Sequence, residues 1–295
     1  MSGKPAVAVL GTGTIGKPVA RNLARAGFPL SAWNRTRERA EPLADDGVSV
    51  ADSPAEAVAD AEVLITLLAD SRAVEEVMDG QGAAGAAREG ATWVQMSTVG
   101  NSATERLARL ADEQGLVFVD APVLGTREPA EKGELLVFAS GPEVARASCE
   151  PIFDVIGKGT RWVDEVGFGT RFKLVVNAWL LALVEGAAES IALARALGIA
   201  PNDFLQAVAG GPIDTPYLQL KGKMMIERRF DPSFKASLAE KDARLVLEAG
   251  REAGLDLLLV EAVQKAYARA IELGHGDEDM AAVIERIAEP AAAPR

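Results

Sequence analysis

Two stretches of this chain combine residue types and spacings that suit chemistry. The first is Gly11-Thr12-Gly13-Thr14-Ile15-Gly16, which follows an apolar run of strand length (6–10) and opens a helical pattern from Ile15 to about Ala26. In a strand–turn–helix setting the first glycine allows a tight turn, and the second lets a pyrophosphate approach the backbone. The third lets helix and strand pack closely, while the helix N-terminus offers N–H donors to the anion. A dinucleotide is the ligand such a turn suits. The second stretch is Phe172-Lys173-Leu174-Val175-Val176-Asn177. Lys173 and Asn177 are four residues apart and share a helix face, in apolar company that disfavours a charged lysine. Such a lysine suits proton transfer to a carbonyl oxygen as hydride reaches its carbon, or the reverse, with Asn177 holding a substrate oxygen. The same spacing also serves a snorkelling lysine beside a buried asparagine, and spacing alone leaves the two readings level.

The end of the second apolar run indicates which dinucleotide. A site for NAD calls for Asp or Glu about 20 residues beyond the glycines, to bind the ribose 2′-hydroxyl. Here that region reads Trp33-Asn34-Arg35-Thr36-Arg37, without an acid. Asn34, Arg35 and Thr36 offer donors and a cation to a 2′-phosphate instead, so NADP(H) is expected in preference to NAD(H). The competing reading makes 35–39 a solvated helix start.

These residues need a frame. Apolar runs at 6–10, 30–33, 48–51, 63–67, 92–95, 117–119 and 135–139 alternate with helical patterns, among them a charged helix over 36–45. Ser53-Pro54 supplies a cap and a first-turn proline, and Ser102 with Glu105 reads as a capping box. That alternation predicts an α/β doubly wound sheet. Beyond about Glu165 the pattern becomes helical, first over 168–197, then over 202–208, 236–253, 255–273 and 278–287. The expected organisation is a dinucleotide-binding Rossmann domain over 1–165 and an all-α substrate and oligomerisation domain over 166–295, joined by a long interdomain helix. The stretch 174–184 is apolar all round and reads as fully buried. Hiding it from water predicts a homodimer or homotetramer through the helical domain. The tail 289–295 is expected to fray.

Composition narrows the functional classes. Acidic residues number 43 against 31 basic ones, giving a net charge of -12 that disfavours a nucleic-acid partner. One Cys and one His exclude a disulfide framework and a His/Cys zinc shell, and no metal is expected. The run 174–184 is short of the roughly 20 residues that cross a bilayer, and the first ten residues lack a signal-peptide core. A soluble cytoplasmic protein is expected. Cys149 reads as a small apolar filler, His275 as a turn residue, and Asp277-Glu278-Asp279 as acids in a helix's first turn.

The glycine motif with Asn22-Leu23, the run Asp120-Ala121-Pro122-Val123, the stretch from Gly167 to Asn177, Glu240-Lys241-Asp242 and Gly276-Asp277-Glu278-Asp279 together resemble the β-hydroxyacid dehydrogenases. This family includes 3-hydroxyisobutyrate dehydrogenase and the glyoxylate/succinic semialdehyde reductases. The resemblance covers nearly the whole chain. It implies hydride transfer between a nicotinamide and a small, anionic hydroxy acid or aldehyde, in a cleft between the domains. It makes Lys173 the acid/base and Asn177 the substrate-orienting residue. It places Thr98 by the nicotinamide, Leu67 and Leu68 along the cofactor, Lys241 toward the cofactor with Asp242 behind it, and Ser97, Val123, Leu124, Gly125 and Thr126 around the substrate.

Departures bear on specificity. Leu124 stands where the family usually has Ser, and Leu cannot hydrogen-bond a carboxylate; Thr126 is the nearest replacement hydroxyl, while Arg127 reads as part of a solvated loop. Imine reductases resemble the same architecture but usually lack the lysine, and 6-phosphogluconate dehydrogenase is much longer at its C-terminus. A non-catalytic NADP(H)-binding module is the remaining alternative.

Overall fold

The computed structural model describes residues 3–287, and its contacts divide the chain into two compact units between Lys173 and Leu174. The first unit is a nine-stranded sheet built from β1 (Val7–Leu10), β2 (Leu30–Trp33), β3 (Ser49–Val50), β4 (Val63–Thr66), β5 (Thr92–Gln95), β6 (Val117–Asp120), β7 (Val123–Leu124), β8 (Leu135–Ser140) and β9 (Gly157–Val163). The order is β3-β2-β1-β4-β5-β6-β8-β7, with β9 on the parallel side of β8. The first six strands run parallel, and β8 meets β6 and β7 antiparallel. Along β1, Val7 and Val9 join one apolar cluster while Ala8 and Leu10 join another. Both faces of the sheet are therefore buried, as parallel strands under helices require.

The helices of this unit are α1 (Gly16–Arg25), α2 (Pro54–Val58), α3 (Ser71–Glu75), α4 (Ala83–Ala86), α5 (Asn101–Glu113), α6 (Arg127–Lys132) and α7 (Arg146–Ile156). Ser53 caps α2 by accepting from the Glu56 N–H, with Pro54 at its first position. Three expectations need correction. The charged helix over 36–45 is two short 3₁₀ segments, Arg37–Arg39 and Glu41–Asp46, because Pro42 admits a helix start but not a helix interior. Ser102 is not a cap: Gly100, at φ 84°, turns the chain so that α5 begins at Asn101, leaving Ser102 inside its first turn. Arg127 is exposed as expected, but it opens α6 and does not lie in a loop.

The second unit is helical, with α9 (Pro201–Val208), α10 (Pro216–Glu227), α11 (Ala236–Glu252), α12 (Leu258–Glu272) and a closing 3₁₀ segment, Met280–Arg286, after most of the long α8 (Phe168–Ala196). Helix α10 was not anticipated. By length and composition α8 is the one helix among the described residues able to cross a membrane, yet Leu174, Leu181, Val184, Ala187, Ala188 and Ile191 form part of this unit's core. Within the single chain 174–184 is not buried all round, since Val175 and Trp179 face outward. Deep in the unit, Lys221 Nζ lies 2.6 Å from Asp279, and neither side chain reaches solvent. The predicted fraying of 289–295 lies outside the described residues.

Candidate active site

Strand order positions the cofactor elements. With β2 on one side of β1 and β4 on the other, the chain reverses direction about β1, and ligands of doubly wound sheets bind where such strands end. Gly11 follows β1 and Leu67 follows β4. A Cβ on Gly11 would lie 2.4 Å from the Leu67 carbonyl oxygen, and one on Gly16 would lie 1.9 Å from that of Gly11. These two glycines are close-approach positions. Gly13 differs: nothing lies within 4 Å of its Cβ position, which leaves room for a phosphate. Thr14 is exposed, Ile15 precedes α1, and no acid occupies the helix's first turn. Thr12 is almost fully buried and its Oγ1 has no hydrogen-bond partner among the described residues. An open glycine, an uncapped helix N-terminus and an unsatisfied buried hydroxyl fit a dinucleotide diphosphate.

The supporting residues form a hydrogen-bonded chain across the strand ends. The Thr12 N–H donates to Asn34 Oδ1 at 3.0 Å, and Asn34 Nδ2 donates to the Thr36 carbonyl at 2.9 Å. Asn34 thus braces the glycine turn, a duty that its position alone did not reveal. Arg35 is exposed and has no partner among the described residues, whereas Arg37 is engaged by Asp52 and Glu41. The Leu68 N–H donates to Ser97 Oγ at 2.8 Å, and Ser97 Oγ donates to the Thr66 carbonyl at 3.3 Å. The Ser97 hydroxyl therefore holds the loops after β4 and β5 together. Thr98, half-buried, follows it. Val123 and Leu124 form β7, paired with Val137 and Leu136. Gly125 takes φ 141° and Thr126 precedes α6 without capping it.

The start of α8 is fixed from the sheet. Asp120, at the end of β6, accepts from the Thr170 N–H and the Thr170 hydroxyl, both at 2.7 Å, and from Ser140 Oγ at 3.2 Å. Burial pushes its carboxyl up to about 6, against those donors. Gly169 permits the approach, because a Cβ there would lie 2.2 Å from the Phe138 carbonyl oxygen. Lys173 follows one turn later and is half-buried.

Asn177 lies one further turn along α8, in the second unit, with 1% of its surface exposed. Its Nδ2 donates to Asp242 Oδ2 at 2.7 Å, and Asp242 is in turn 3.0 Å from Lys241 Nζ. The asparagine is thereby held in one orientation, and its Oδ1 has no hydrogen-bond partner among the described residues. The acidic run near the chain's end separates into three pairings: Asp277 with Lys235, Glu278 with His275, and Asp279 with Lys221. Cys149 is fully buried.

Residues 6–167 match the family model for the NAD-binding domain of 6-phosphogluconate dehydrogenase, and residues 167–287 match the model for NAD-binding of NADP-dependent 3-hydroxyisobutyrate dehydrogenase. The chain belongs to the β-hydroxyacid dehydrogenase family. Among members of this family, glyoxylate/succinic semialdehyde reductase 1 of Arabidopsis thaliana is 33% identical, over 95% of this chain and 98% of that one. A 3-hydroxyisobutyrate dehydrogenase of Salmonella typhimurium has the same fold, with a TM-score of 0.90 at 24% identity over 96% of this chain and 100% of that one. An imine reductase of a Pseudomonas species is also similar in fold, with a TM-score of 0.65 at 24% identity over 96% and 99% of the two chains. The β-hydroxyacid dehydrogenase described here is an NAD(P)-dependent oxidoreductase of CH–OH or aldehyde groups.

Proposed function

We propose that the protein moves hydride between NADP(H) and a small, anionic β-hydroxy acid or its semialdehyde, with Lys173 as proton donor and acceptor. The bound dinucleotide supplies or takes the hydride. The turn Gly11–Gly16 holds its diphosphate, Arg35 and Thr36 meet its 2′-phosphate, and Leu67, Leu68 and Thr98 flank it. In reduction, the carbonyl carbon accepts hydride while Lys173 Nζ gives a proton to the oxygen, leaving an alcohol and a neutral amine. Oxidation reverses both transfers. The observation that carries this reading is the buried, unpartnered Oδ1 of Asn177, held by Asp242 one helical turn from Lys173. An oriented acceptor there suits the substrate's O–H in its alcohol form. A homo-oligomeric assembly in the cytoplasm completes the proposal.

The test is NADPH oxidation with glyoxylate, succinic semialdehyde, methylmalonate semialdehyde and a cyclic imine. Turnover of at least one short carbonyl acid, and none of the imine, is expected. Failure on all four contradicts the enzymatic reading in favour of a cofactor-binding protein, and preference for the imine contradicts the substrate class.

A further inference from the structure

One row of the sheet is polar where burial on both faces calls for apolar side chains. Thr66, Gln95, Asp120 and Ser140 are register partners across β4, β5, β6 and β8, so their side chains share one face of the sheet. All four are fully buried. Such a row has to satisfy its donors and acceptors within the protein, and it directs them to two backbone segments. At the β8 end, Ser140 Oγ accepts the Gly169 N–H at 3.0 Å and Asp120 accepts from Thr170, which fixes the turn before Lys173. At the β4 end, Thr66 Oγ1 accepts from Trp93 Nε1 at 3.0 Å and donates to Gln95 Oε1 at 3.3 Å. Gln95 Oε1 also accepts the Ser97 N–H at 2.7 Å, and Gln95 Nε2 donates to the Ser97 carbonyl at 2.8 Å. The peptide groups on both sides of Ser97 are thus held by one amide, and the chain leaves them at Thr98.

We propose that Gln95 is a positioning residue for hydride transfer. Through Ser97 it sets Thr98 against the nicotinamide, in the same row from which Asp120 and Ser140 set the first turn of α8 and with it Lys173. The residue type fits this duty. The Ser97 N–H needs an acceptor and its carbonyl a donor, and an amide side chain presents both without carrying charge. A carboxylate would turn an acceptor toward the Ser97 carbonyl, beside a register partner, Asp120, that is itself a buried acid. A methionine of similar length would leave both Ser97 groups without their partner, and the Thr66 hydroxyl without its acceptor. Because β5 and β6 are paired neighbours, the hydride side and the proton side of the reaction are built from adjacent strand ends. An error of about 1 Å on either side then costs rate more than cofactor binding. This inference rests on the proposed function, since it needs Thr98 beside the nicotinamide and Lys173 as proton donor.

Wild type, Gln95→Met and Gln95→Glu test it, with circular dichroism to confirm folding, kcat on a semialdehyde the wild type accepts, and NADPH affinity by fluorescence. Gln95→Met should lower kcat about 10- to 100-fold with NADPH affinity within about threefold of wild type, because the glycine turn and Arg35 are untouched. Gln95→Glu should behave differently at the two ends of the pH range. A protonated carboxyl can donate to the Ser97 carbonyl and accept its N–H, so kcat should approach the wild-type value near about pH 6 and fall toward that of Gln95→Met near about pH 9. Of the side chains bonded to Gln95 or in register with it, Asp120 alone titrates. Wild type carries it too, so the ratio of variant to wild type isolates the new carboxyl. A wild type inactive on every carbonyl acid overturns the proposed function and this inference together. An active wild type with an unchanged kcat in Gln95→Met overturns the inference alone, as does a fall in kcat matched by an equal loss of NADPH affinity. Should Gln95→Met fail to fold, the Gln95→Glu ratio decides: a fall as pH rises supports the inference, and a flat ratio overturns it.

Discussion

The sheet unit and the helical unit each bury an aspartate, and they satisfy it by opposite means. Asp120 meets the Thr170 N–H and two hydroxyls and, among the described residues, no cation within ion-pair distance; burial dominates and raises its pKa to about 6. Burial also acts to raise Asp279, but Lys221 and the donors from Ser233 and Ala281 outweigh it and hold the carboxyl below its usual value. The contrast follows from what each acid does. Asp120 ties a strand end to the first turn of α8 through neutral donors. Asp279 closes the second unit by joining α10, the chain before α11 and the last 3₁₀ segment. One aspartate positions; the other holds a core shut.

The largest effect should come from removing the cation. Lys221→Ala leaves Asp279 buried and unpaired, and should cost about 3–5 kcal/mol in denaturant unfolding. A loss below about 1 kcal/mol would show that solvent reaches the pair. Next is pH. A carboxyl raised in the folded state binds its proton more tightly there than in the unfolded chain. Asp120 therefore makes stability fall as pH rises from about 4 to about 6, by about 3 kcal/mol. Asp279, depressed when folded, contributes stability above the usual carboxylate value and loses it as pH falls through its folded value. Unfolding free energies of wild type and Asp120→Asn between pH 4 and 7 should diverge in that sense; parallel curves would place Asp120 in contact with water.

With Arg35→Ala, NADPH should bind about 10- to 100-fold more weakly, as for loss of a charged hydrogen bond, with NADH unchanged. Equal weakening of both cofactors would move Arg35 away from the 2′-phosphate. The smallest effects should be alike in the two units. Ser53 caps α2 and Thr215 caps α10 by the same geometry, so each change to Ala should cost ~1 kcal/mol in thermal or denaturant unfolding.

The two units were also unequally legible. The sheet unit announces itself because its strands are short apolar runs bounded by turns: β2 and β5 coincide with the runs read from sequence. Its glycine motif is a local device whose three positions have separate steric duties. In the helical unit, spacing found five segments, the last of them a 3₁₀ turn, but missed α10, whose stripe is interrupted by Lys221, a charge buried in its core face. Nothing near Lys221 in sequence reveals that its partner stands 58 residues away. Long-range partners obscured the site in the same way. Lys173 and Asn177 were visible from spacing on one helix, but the anchoring of α8 by Asp120 and the bracing of the glycine turn by Asn34 are contacts that only folding creates. Apolarity likewise marked 174–184 as core without showing that Val175 and Trp179 face outward. Net charge tells the same story in reverse: the chain is acidic as a whole, yet the proposed site includes the basic residues Arg35 and Lys173.

In the proposed reaction Lys173 moves the proton while the turn around Gly13 holds the cofactor. The direct measurement is a comparison of wild type and Lys173→Ala in two readouts: turnover on a semialdehyde the wild type accepts, and NADPH affinity by fluorescence. Lys173→Ala should lower kcat by about 10²–10⁴-fold, the usual range for a lost general acid, with NADPH affinity within about twofold of wild type. An unchanged kcat, or a loss of activity matched by an equal loss of NADPH binding, would contradict it.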